Sequence, residues 1–190
     1  MAKALDVLGS EHRNMLRVMA VLEAEIDAFA AGGDLDLDLF LDIVEYIKSF
    51  PDAVHHPKEE YLFRPLLARR PEAAPLIADL RREHEAEAGK LAAIAVAAER
   101  LAVEEAQDKG AFERLVRDYI DFLYEHMRKE EMVVFPLARE ALTEADWKAV
   151  DAQVARGEDP FLSEEGSARY REILRRIVYL SEAEREADRP

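Results

Sequence analysis

Residues 125–136 read EHMRKEEMVVFP, and both the fold and the chemistry turn on them. His126 and Glu130 lie four apart, so on a helix they share one face. The flanking sequence makes that face apolar: Phe112, Leu115, Val116, Tyr119 and Leu123 precede it, and Val134 and Leu137 follow. A carboxylate is rarely buried without a partner, because an unpaired buried charge is costly. A carboxylate and an imidazole together on a core stripe call for something positive, and a metal ion is the economical candidate.

The composition narrows what that ion can be. The 190 residues suit one domain, or one domain with an extension. Gly and Pro are sparse, at 7 and 8, while Ala, Leu, Glu and Arg abound, which favours an all-α protein. There is no Cys, so thiolate sites and disulfides are excluded and any metal takes His and carboxylate ligands, suited to Fe, Mn or Zn. The 41 acids against 26 bases give a formal charge of −15. Nucleic acid and anionic membranes are poor partners for such a chain. No stretch has the apolar length of a signal peptide or a membrane span, so the expected location is cytoplasmic.

Along the chain, Leu5, Leu8, His12, Met15, Leu16, Met19, Leu22, Ile26 and Phe29 recur at helical spacing. They predict a helix over 4–31, ended by Gly32-Gly33. A second helix begins near Asp34 and, with Pro51, Pro57 and Pro65 in its path, breaks or kinks near Pro51 before continuing to Arg69. Pro71 opens a third helix running to about Glu105, with His84 in its stripe. The polar turn EEAQDKG leads to a fourth helix over 111–141. Thr143 with Asp146 resembles a capping box starting a short helix to Ala155. After the loop ARGEDPF, Ser163 caps a last helix ending near Leu180, and the charged tail SEAEREADRP frays.

The informative feature is a repeat. LGSEH ends at His12, and His56 with Glu60 follows; LRREH ends at His84, and His126 with Glu130 follows. The His-to-His intervals are 44 and 42 residues. In an antiparallel up-down-up-down four-helix bundle each half is a helical hairpin, and both halves converge on one central site. A single H-x-x-x-E pair is ordinarily a surface ion pair; two pairs joined by two more apolar-face histidines are not. The set His12, His56, Glu60, His84, His126 and Glu130 offers four terminal imidazoles and two bridging carboxylates, enough for two Fe ions. Glu59 and Glu131 point off the stripe, with Glu131 the alternative to Glu130. His55 adjoins His56 and faces elsewhere. Tyr46, Tyr119 and Tyr124 are read as packing residues.

EHRNM, HHPKEEYLF, LRREHE and EHMRKEEMVVFP together resemble the hemerythrin-like family, the HHE cation-binding domain, over residues 4–141. The resemblance implies an antiparallel four-helix bundle around a non-haem, oxo- or hydroxo-bridged di-iron centre. The six residues above would be its ligands, Glu60 and Glu130 bridging. Oxygen-carrying members have a fifth His one turn beyond the position of His84; here Ala88 stands there, and His55 is the residue placed to compensate. Their last carboxylate comes five residues after the last His rather than four. The chain therefore looks closer to the bacterial regulatory or repair-type branch.

Residues 1–142 are expected to form the di-iron bundle. Residues 143–190 form a helical extension that packs on it or on a partner, a homodimer included. The leading function is binding of O2, NO or a peroxide for sensing, storage or scavenging. The alternatives are a di-iron oxidase, peroxidase or NO reductase, or an iron donor in iron–sulfur cluster repair. A helical interaction module with a vestigial His set is a third reading. Ferritin-like storage fits less well, since that class uses more Glu than His and Glu-x-x-His spacing.

Overall fold

The computed structural model describes residues 3–103, 108–155, 168 and 170–187. Among them every regular element is helical and there is no strand. The order is α1 (Lys3–Ala30), α2 (Leu37–Phe50), a π-helical turn (Pro51–His55), α3 (His56–Arg69), a 3₁₀ turn (Pro71–Ala73), α4 (Ala74–Val103), α5 (Lys109–Lys129), a second π turn (Glu130–Val134), α6 (Phe135–Ala141), α7 (Glu144–Val154) and α8 (Arg171–Ala187). No helix among the described residues is long and apolar enough to cross a membrane.

Local chemistry sets the boundaries. Gly32 ends α1 with φ of 98°, a left-handed conformation that side chains other than hydrogen resist. Asp36 caps α2 by accepting from the Leu39 N–H at 3.2 Å, and Asp108 caps α5 by accepting from the Ala111 N–H at 3.0 Å. Thr143 and Asp146 form the expected capping box, each accepting the other's backbone N–H. The last helix runs past Leu180 to Ala187, because Glu, Ala and Arg favour helix and no breaker intervenes. Residues 104–107 of the expected EEAQDKG turn, most of the ARGEDPF loop, the Ser163 cap and the last three residues of the tail lie outside the described residues, while Lys109 and Gly110 already belong to α5.

One proline-linked π turn falls where the break or kink near Pro51 is expected, and a second interrupts the single helix expected over 111–141. In the first, the His56 N–H reaches the Pro51 carbonyl, five residues back; in the second, the Phe135 N–H reaches the Glu130 carbonyl. In each a proline, Pro57 or Pro136, stands two residues beyond the end of the turn. A proline has no N–H to give and its ring crowds the carbonyl four residues earlier. Widening the preceding turn by one residue relieves that clash without ending the helix.

Two apolar layers sandwich a polar one. Met15, Met19, Leu22, Ile26, Phe40, Ile47, Ile94, Val116 and Leu123 belong to one buried cluster, and Leu5, Leu8, Leu62, Phe63, Ile77, Leu80, Val134 and Phe135 to the other. Each contributing helix passes from one layer to the other: α1 through Leu8, His12 and Met15, and α4 through Leu80, His84 and Leu91. The histidines and glutamates therefore sit where apolar side chains exclude water on two sides. Helices α1 and α5 pack together, as do α2 and α4, and α4 and α5. Helix α7 lies against α1 and α3, and α8 against α1 and α2.

Candidate metal centre

The polar layer is built from α1, α3 with its π turn, α4, and the end of α5. It divides into two groups of side chains that could each hold an ion: His12, His55, Glu59 and Glu130, and His56, His84 and His126. Within the first, the Nε2 atoms of His12 and His55 are 3.0 Å apart; across the second, those of His84 and His126 are 2.9 Å apart. Two nitrogens each ~2.1 Å from one ion lie about 3.0–3.4 Å apart at octahedral to tetrahedral angles. The rings are thus already close to the spacing that a shared ion requires.

Glu59 and Glu130 join the two groups. Glu59 Oε1 lies 3.2 Å from His55 Nε2 and 3.8 Å from His12 Nε2, while its Oε2 lies 3.3 Å from His84 Nε2. Glu130 Oε2 lies 3.3 Å from His12 Nε2, and its Oε1 3.4 Å from His126 and 3.8 Å from His84. Both carboxylates are fully buried, and none of their four oxygens makes a hydrogen bond of acceptable geometry. Native interiors seldom leave such atoms unsatisfied, so a group of this kind points to an ion or ligand.

Around this layer the outer ring nitrogens meet carboxylates. Glu11 lies 2.9 Å from His55 Nδ1, Glu83 2.9 Å from His126 Nδ1, Glu131 3.0 Å from His12 Nδ1 and Asp52 3.3 Å from His56 Nδ1. A carboxylate at Nδ1 holds the proton there and turns the Nε2 lone pair inward, the arrangement found behind metal-bound histidines. Lys58 donates to Glu11 and Lys129 to Glu83, so two Lys–Glu–His chains approach the site, the first buried and the second half-exposed.

The electrostatics reflect four glutamates in a dry interior. Burial alone would lower His12, yet Glu130, Glu131 and Glu59 beside it raise it well above the usual imidazole range. Burial likewise opposes His55, but Glu59 and Glu11 raise it to about 9. His56 is pushed down to about 3 by burial and by His84, whose ring stacks on it with centroids 3.7 Å apart. Burial would raise Glu59; the facing His55 and His12 instead hold it well below the carboxylate range. The buried carboxylates thus favour protonated His12 and His55, and these imidazoles in turn favour ionised Glu59.

His12, His56, His84, His126 and Glu130, all expected from the sequence, are brought together. Glu60 is not. It pairs with Arg81 at 2.6 Å on the partly exposed side of α3, and Glu59 occupies the inward position. His55 is also inside. The wide turn before α3 rotates the backbone less per residue than an α-helix, so His55 and His56 both reach the site. His56 packs on His84, while Ala88, expected on the inward stripe of α4, is exposed and Glu87 is the buried residue one turn beyond His84. Glu131 stands behind His12. The clue lay in the lysines: His55-x-x-Lys58-Glu59 matches His126-x-x-Lys129-Glu130 in every interval, whereas His56 and Glu60 do not keep the lysine in register. The preceding halves match as well, Glu11-His12 with Glu83-His84. Glu87, Tyr119 and Asp52 carried no comparable sequence signal.

Residues 3–138 match the family described as the hemerythrin HHE cation binding domain, most of the chain. The chain belongs to this family. No curated protein and no solved structure gives a significant match. For a hemerythrin HHE domain the buried His/Glu layer is the place where a cation fits: soft thiolates are absent, and the donors are imidazole nitrogens and carboxylate oxygens.

Proposed function

We propose that this hemerythrin-like domain holds two iron ions and uses them to bind a diatomic molecule or a peroxide. The observation that carries the reading is the set of four buried, hydrogen-bond-free oxygens of Glu59 and Glu130 between two groups of imidazoles. In it His12 and His55 would hold one ion and His56, His84 and His126 the other, with Glu59 and Glu130 available to both. Glu59 takes the role the sequence suggested for Glu60. The helices would form an antiparallel four-helix bundle over residues 1–142, with residues 143–190 as an extension packed against it.

Bound iron would supply electrons and open coordination positions to the incoming molecule. The protein's own part is to orient and to exclude water. Glu11, Glu83, Glu131 and Asp52 fix the imidazole tautomers, and the apolar layers close both sides. Phe135 lies parallel to the His12 ring at 5.8 Å and Phe122 nearly parallel to His126 at 6.2 Å, which limits how either ring can tilt. The first ion is offered four protein donors and the second five, so the first is the more open. That openness serves reversible binding, and it also serves the alternative of turnover as an oxidase, peroxidase or NO reductase.

Metal analysis of anaerobically purified protein, with optical spectra before and after air, tests the reading. Two Fe per chain and ferric absorption that changes on adding azide are expected. A protein that stays colourless and iron-free after incubation with Fe(II) would refute it. Catalytic consumption of NO or H2O2 that is lost in Glu130→Ala would favour the enzyme.

A further inference from the structure

One more carboxylate is buried beside the two groups. Glu87 lies on α4, one turn beyond His84, and is 4% exposed. Its Oε1 accepts a hydrogen bond from the Tyr119 hydroxyl at 2.7 Å. That bond orients the carboxylate so that Oε2 lies 3.6 Å from Nε2 of His56. The other nitrogen of that ring, Nδ1, faces Asp52. Glu87 therefore approaches the second imidazole group on the nitrogen left for a metal. Its approach comes from the same helix that supplies His84.

We propose that Glu87 is a third carboxylate ligand, specific to the ion held by His56, His84 and His126, and that Tyr119 is its positioning residue. The inference rests on the two-ion reading above. The second ion then meets three imidazoles and three carboxylates, against two of each at the first. The extra hard, anionic donor favours a first-row cation with a taste for oxygen, Fe or Mn, over one that prefers nitrogen and sulfur alone. It also widens the inequality between the two positions, with the second ion the more tightly held and the more fully coordinated. The hydroxyl of Tyr119 acts on the metal only through Glu87, since its hydrogen bond fixes which oxygen is turned towards His56.

Fe(II) binding under argon, measured by competition with a chromophoric chelator, tests this on the full chain. The wild-type protein is expected to bind two ions with distinct affinities. Glu87→Gln keeps an oxygen to accept from Tyr119 but loses the anionic donor. It should weaken the tighter ion by at least ~10–100-fold, the range seen when groups supporting a metal site are removed, and leave the other unchanged. Glu87→Ala should do the same, and Tyr119→Phe should give a smaller loss at the same ion. In the ferric protein, azide should saturate at one equivalent for wild type and take up a second in Glu87→Ala. Wild-type affinities for both ions in Glu87→Gln would overturn the ligand role, and an unchanged Tyr119→Phe would overturn the positioning role. A wild-type chain that binds fewer than two ions would refute the two-ion reading itself.

Discussion

His12 and His55 stand 43 residues apart in the chain, yet their Nε2 atoms are 3.0 Å apart. Glu59, four residues beyond His55, turns its carboxylate to both. Glu60, its neighbour, pairs with Arg81 near the surface, with side chains 30% and 42% exposed. These two adjacent glutamates should behave oppositely. Glu59→Ala is expected to lower iron content below two per chain. Glu60→Ala should leave iron content unchanged and cost no more than ~1 kcal/mol, the range for exposed ion pairs. Metal analysis and thermal unfolding of both variants decide it. Iron lost in Glu60→Ala and kept in Glu59→Ala would reverse the assignment.

The two Lys–Glu–His chains provide a second contrast. Glu11 and Lys58 are buried, while Glu83 and Lys129 are partly open to solvent. Both glutamates hold an imidazole by its Nδ1. Glu11→Ala and Glu83→Ala should therefore each weaken metal binding by ~10–100-fold. Their effects on the metal-free fold should differ. Removing Glu11 takes a carboxylate from the buried Lys58 ammonium where water cannot replace it, a loss of up to about 3–5 kcal/mol. Removing Glu83 leaves Lys129 able to reach water, so the loss should be well under half of that. Urea unfolding of the two metal-free variants measures the difference, and equal losses would show that burial does not separate the two chains.

These pairs also explain what could be read in advance. Helical spacing in α1, α4 and α5 was plain, because the apolar stripes containing His12, His84 and His126 are long and regular. Around Pro57 the same rule failed. A face calculated for an uninterrupted α-helix joins His56 to Glu60, and one extra residue in the turn moves that face. Pro136 has the same effect after Glu130, where the sequence suggested an unbroken helix. With Lys58 set against Lys129, the repeat itself pairs His55 with Glu59. Glu87 and Tyr119 could not, since their relation depends on how α4 and α5 pack.

Protons should compete with metal. In the metal-free fold His55 keeps its proton up to about pH 9, against an ordinary value of 6.5, because Glu59 and Glu11 outweigh the effect of burial. A raised imidazole stabilises the fold fully below the unfolded value, and this contribution fades as pH rises through about 9. A metal at Nε2 needs that proton gone, so loading releases it throughout this window. His12 and His84 are raised as well and act in the same direction. Apparent metal affinity should thus climb from pH 6.5 to 9, by up to ~10-fold per pH unit for each proton displaced. The gain in melting temperature on adding metal should grow over the same range, while the metal-free protein becomes less stable. A metal-induced gain that is flat with pH would refute this competition between protons and metal.

The C-terminal helix should matter to the whole fold. Tyr170, just before α8, is buried and meets Tyr46 edge-to-face with ring centroids 5.4 Å apart. Ile173 is fully buried in the same cluster as Met15, Phe40 and Tyr119. Arg176 lies on the rim, 3.4 Å from Glu25 and 3.6 Å from Asp36. Loss of a large buried aromatic leaves a cavity in a core that also supports α1 and α2. Tyr170→Ala should cost about 3–5 kcal/mol and Ile173→Ala about 2–5 kcal/mol. Arg176→Ala, half in solvent, should cost at most ~1 kcal/mol. Denaturant unfolding followed by helical circular dichroism checks the order. If α8 belongs to the same cooperative unit, Tyr170→Ala shifts one transition as a whole; a separate early transition with the main midpoint unmoved would make the extension an independent appendage.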